Sequence, residues 1–71
     1  MLLLVNKQYF SWAPERIADI LTALAAGKAF IAYPGVTRVE SNGQTTSLTL
    51  DGRTALLPNR ELSALLVEAQ K

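Results

Sequence analysis

A small α+β fold is predicted, an antiparallel sheet packed against two amphipathic helices, and three features of the 71-residue sequence carry that prediction. Asn42-Gly43 lies between two β-prone runs in residues 36–50, and Asn-Gly is the strongest short-range hairpin signal. Residues of about 14–26 carry Ile17, Ile20, Leu21 and Leu24 at i, i+3, i+4 and i+7, a single apolar helical stripe. Residues of about 60–70 repeat the pattern with Leu62, Leu65, Leu66 and Ala69, leaving Val67 off the stripe.

In chain order, Leu2 to Val5 reads as a short strand, and its unbroken apolar run suits a strand covered on both faces or a central one. Lys7-Gln8 ends it, and Tyr9-Phe10-Ser11-Trp12 then places three of the five aromatics within four positions. If these residues are extended, Tyr9 and Phe10 point to opposite sides. Phe10 is expected inside, with Tyr9 or Trp12 partly exposed. Pro14 and Glu15 open the first helix, because proline loses no partner in the first turn and an acid complements the positive end of the dipole. Ser11 is the expected cap for a helix starting at Trp12, and Ala13 would be a poor one. Gly27 is a left-handed stop, followed by Lys28 at the negative end.

Residues 29–33 form a second apolar strand ended by the Pro34-Gly35 turn. A type I′ turn at Asn42-Gly43 would set Ser41 opposite Gln44, Val39 opposite Thr46 and Thr37 opposite Leu48. Thr37, Val39, Thr46, Leu48 and Leu50 then share the core face, and Val36, Arg38, Glu40, Thr45, Ser47 and Thr49 share the outer one. Asp51-Gly52 is a further turn signal, so residues 54–57 can return as another strand. A two-residue loop there pairs Leu48 with Ala55, and a three-residue loop pairs Leu48 with Leu56. Pro58-Asn59 starts the last helix, with Asn59 as cap and Glu61 in the first turn.

Residues 1–71 make one small domain, and a chain this short buries only about 60% of its unfolded surface. It has no cysteine for a disulfide and no histidine for the usual zinc sites, so neither metal nor disulfide staples it. Hydrophobic residues at 49% against 18% charged are apolar for so small a domain, which favours cover by a second copy or another protein. The first residues have no basic run ahead of them and too short an apolar stretch for a signal peptide. They also fall well short of the roughly 20 residues that span a bilayer, so a cytoplasmic chain with no membrane partner is expected.

Without His or Cys there is neither imidazole base nor thiolate. Glu15 and Asp19 are the one acidic pair that local geometry brings together, on the exposed side of a helix. Each glycine is explained by a cap or a turn, which leaves no phosphate loop. No catalytic residue, cofactor, metal or small-molecule substrate is indicated, and an enzyme is not expected. A net charge of +1, with basic residues spread among acids, gives little for phosphates to bind. Arg38 with Thr45, Ser47 and Thr49 could still meet nucleic acid as a β-ribbon, although Glu40 opposes it.

The segments Leu21-Thr22-Ala23-Leu24-Ala25-Ala26-Gly27-Lys28, Val39-Glu40-Ser41-Asn42-Gly43-Gln44 and Glu61-Leu62-Ser63-Ala64-Leu65-Leu66 follow one another as helix, glycine-tipped hairpin and helix. In that order the chain resembles the small W-type head-completion proteins of tailed bacteriophages. The resemblance implies a virion-assembly or connector-like component and assigns no functional residue. The chain departs from that pattern in its N-terminal strand and aromatic run, in residues 29–35, in the Asp51-Gly52 turn, and in lacking a basic tail. Three functions follow as expectations: a non-enzymatic protein-interaction module that self-associates, or binds or inhibits a larger protein, a phage-type assembly component, and a nucleic-acid binder that uses the outer hairpin face. Tyr9, Trp12, Tyr33, Arg38 and Glu40 are the candidate contact residues for the first.

Overall fold

The computed structural model describes residues 1–71. In order, the elements are β1 (Leu2–Val5), β2 (Gln8–Ser11), a 3-10 turn (Pro14–Arg16), α1 (Ile17–Ala25), β3 (Ala29–Ala32), β4 (Arg38–Asn42), β5 (Thr45–Leu50), β6 (Arg53–Pro58) and α2 (Asn59–Ala69). β3, β4, β5 and β6 form a four-stranded antiparallel meander, and β1 pairs with β2 in a separate two-stranded sheet. The α+β class is therefore the one predicted.

The place of β1 is not. Instead of lying covered on both faces, Leu2–Val5 turns back on Gln8–Ser11, with Leu4 opposite Tyr9 and Val5 opposite Gln8. Val5 is buried while Leu2 and Leu4 stay exposed. The reversal is made by Asn6 at φ +51° and Lys7 at φ +67°. Positive φ at both central residues is the type I′ requirement, and lysine is an unusual residue to meet it.

The core is one cluster of twelve buried hydrophobic residues drawn from both sheets and both helices. Ile17, Ile20 and Leu24 of α1 and Leu62 and Leu66 of α2 belong to it, so both stripes face inward as predicted. From the meander come Val39, Leu48, Ala55 and Leu57, and from the first hairpin Val5 and Phe10. The predicted inner set holds: Thr37, Val39, Thr46 and Leu48 are fully buried, and Leu50 is half-buried.

The central hairpin is shifted two residues in register. Ser41 pairs with Thr46, Val39 with Leu48 and Arg38 with Thr49, so the tip is Gly43-Gln44 rather than Asn42-Gly43. Only Gly43, at φ +98°, has positive φ there, which rules out the predicted type I′ turn. The Asn42 carboxamide instead accepts the N–H groups of Gln44 and Thr45, each at 2.9 Å. Because side chains alternate with period two, a shift of two leaves every residue on its predicted face. The loop after β5 has two residues, Asp51 at φ +51° and Gly52 at φ +77°, and pairs Leu48 with Ala55.

Helix starts differ from expectation as well. Ala13, not Ser11, occupies the first cap position without a side-chain bond, and Ser11 lies in β2. Pro58 takes the cap position of α2, and Asn59 is the first helical residue. No helix is long and apolar enough to cross a membrane.

Candidate protein-interaction surface

On the outer face of the meander, register places Ile31, Glu40, Ser47 and Leu56 in one row across the four strands. Alternation puts Arg38, Thr49 and Thr54 in the next row. Tyr33 follows Ala32 at the end of β3 and lies close enough to Arg38 to affect its guanidinium. The centre of this face is thus polar and its two margins are apolar: Ile31 is 57% exposed on β3 and Leu56 63% on β6. Ala29, Glu40, Asn42, Thr45, Ser47 and Leu56 line a shallow depression on it.

Arg38 Nη1 donates to Glu40 Oε1 at 2.6 Å. That bond, with the nearby Tyr33 side chain adding to it, holds the guanidinium above its already high ordinary value. Arg38 is a permanent cation whose charge is answered locally by Glu40. Arg53 lies opposite Leu50 on the other face, its guanidinium 5.6 Å from the centre of the Phe10 ring. The two arginines lie on opposite faces of the meander, while Arg38, Thr45, Ser47 and Thr49 share the outer face with Glu40 as expected.

The five candidate residues separate into three groups. Tyr33, Arg38 and Glu40 come together on the outer face. Tyr9 is 55% exposed, but on the first hairpin, where it sits opposite Leu4. Trp12 is 1% exposed and belongs to the core, so it offers no surface to a partner. Its Nε1 is a buried donor with no partner. Indole volume outweighs that lost hydrogen bond, because burying a large aromatic gains about 3 kcal/mol or more while an unmade bond costs about 1–3 kcal/mol. Of the expectation for the aromatic run, Phe10 is indeed buried and Tyr9 is the exposed member.

Sequence reasoning missed the residues that hold this face in shape. Asn59, expected as a cap, reaches under the hairpin: Thr46 Oγ1 donates to Asn59 Oδ1 at 2.6 Å, and Asn59 Nδ2 donates to Ser41 Oγ at 3.1 Å. Its backbone N–H donates to Gln44 O at 2.8 Å, and Ser41 Oγ also accepts the Gly43 N–H at 3.1 Å. Thr37 Oγ1, just ahead of β4, donates to Ser11 O at 2.7 Å and ties the approach to that strand to β2. Buried Thr37, Ser41 and Thr46 in an otherwise apolar inner row were the available signal, since buried hydroxyls require partners.

No family model, curated protein or solved structure matches the chain. The likeness to head-completion proteins accordingly rests on element order alone, and the β1–β2 hairpin, β3 and β6 lie outside that order.

Proposed function

We propose that this chain is a non-enzymatic protein-interaction module, working in the cytoplasm, whose contact surface is the outer face of the meander. The observation that carries the reading is the company Tyr33 keeps. An exposed tyrosine and an exposed isoleucine flank a fixed Arg38–Glu40 pair on a sheet whose other face is fully occupied by the core. Tyrosine and arginine are the residue types that protein contacts favour, and an apolar margin around a satisfied polar centre suits a partner that excludes water. The apolar composition points the same way.

Cross-linking tests it, applied to the purified chain and to the chain added to lysate of its source cell. Adducts to itself or to a second protein are expected, reduced several-fold in an Ile31→Ser, Tyr33→Ser double variant that keeps its circular dichroism. Absence of adducts in both settings, or adducts indifferent to the double variant, overturns the reading.

A further inference from the structure

The two edges of the meander are treated differently. Along β6, Asn6 Nδ2 donates to Leu56 O at 3.0 Å and Gln8 Nε2 donates to Thr54 O at 3.4 Å, so the first hairpin occupies two outward carbonyls. Pro58, at the end of that strand, has no N–H to offer. Along β3 nothing comparable exists. Its only ladder is to β4, and no side chain or loop bonds to its backbone from the open side. No charged residue interrupts Ala29-Phe30-Ile31-Ala32-Tyr33, whereas exposed edges are ordinarily blunted by lysine, proline or a bulge.

The geometry points to a second copy of this chain as the occupant of that edge: β3 pairs antiparallel with β3 of the other copy about a two-fold axis at Ile31, joining two meanders into one continuous sheet. The inference rests on the interaction reading above and names its partner. Self-complementarity of the strand carries it. In that register Ile31 meets Ile31, Phe30 meets Ala32 of the other copy, and Ala29 meets Tyr33, so each large side chain off the axis lies against a small one. Phe30 and Ala32 are half-buried on the core side, while Ala29, Ile31 and Tyr33 are exposed on the outer side. Both faces of the new pairing therefore gain apolar contact.

Charge permits it as well. Glu40 neighbours Ile31 on the outer face, so the two Glu40 side chains lie three strand spacings apart, about 14 Å. At that distance salt screens their repulsion. A two-fold contact also closes on itself, which uses up the edge instead of propagating a fibre.

Light scattering over a dilution series reads the mass directly. A dimer is expected that dissociates on dilution, with Ile31→Lys weakening it at least tenfold and Val67→Lys, the same kind of change at an exposed apolar residue of α2, leaving it intact. Because the chain has no cysteine, Ile31→Cys gives a second reading: oxidised glutathione should link two copies through that residue, and Leu56→Cys should not link. A monomer at every concentration, or a dimer indifferent to Ile31→Lys, overturns the self-pairing. If a monomeric chain still forms adducts with a second protein that Ile31→Ser, Tyr33→Ser reduces, self-pairing is overturned and the interaction reading stands. Loss of all adducts overturns both.

Discussion

β5 is bounded by two turns that look alike in sequence and behave differently in the fold. At Asp51-Gly52 the chain reverses in open solvent, and a Cβ placed on Gly52 would meet nothing within 4 Å. At the other end, Gly43 is wedged against the connection after α1, where a Cβ would lie 2.8 Å from Gly27 O. Asn59 and Ser41 hold that tip from beneath. Asp-Gly, free of neighbours, adopts the two-residue turn with both φ values positive. Asn-Gly is displaced from the expected turn because the Asn42 carboxamide caps the loop and α2 takes hold of Gln44 O. A dipeptide propensity decides a turn when nothing else touches it, and tertiary contacts decide it otherwise.

The contrast can be broken by substitution, with the largest effect at the buttressed turn. Gly43→Ala should lose about 3 kcal/mol or more, combining positive-φ strain with displacement of the Gly27 backbone. Urea denaturation followed by the fluorescence of Trp12, the one tryptophan, measures it. Asn59→Ala comes next at about 2 kcal/mol, since Thr46 and Ser41 then lose their partner inside the structure. A loss below about 0.5 kcal/mol would show that the Asn59 side chain does not hold the tip. Gly52→Ala should cost about 1 kcal/mol, the left-handed penalty alone. Lys7→Gly sharpens the comparison from the other side. With φ at +67° and no glycine present, the first hairpin should gain about 0.5–1 kcal/mol in the same assay.

These particulars show how far the sequence could be read. Both helix stripes were legible because period 3.6 is carried by many residues at once, and Ile17, Ile20, Leu24, Leu62 and Leu66 are all buried. The faces of the central hairpin were legible although its register was not, since alternation survives an even shift. The first hairpin was hidden because Asn6-Lys7 carries no glycine and its apolar strand resembles a covered one. In the candidate surface, Tyr33, Arg38 and Glu40 followed from alternation next to a turn. Trp12 did not, because whether an aromatic before a helix folds inward depends on how much volume the core lacks. Asn59 was misassigned because a residue at a helix start that caps and one that reaches sideways look identical in sequence.

With the tip held by α2 and β6 guarded by Asn6 and Gln8, β3 is the side of the meander that its own chain leaves unpartnered. Residue-resolved amide exchange on the wild-type protein, at high and low concentration, compares the two edges in one experiment. The outward amides of residues 29–33 should be protected when concentrated and lose that protection on dilution, while those of Thr54 and Leu56 stay unchanged. Exchange along β3 that is rapid at every concentration, or a dilution effect of equal size on both edges, would contradict an open, self-pairing edge.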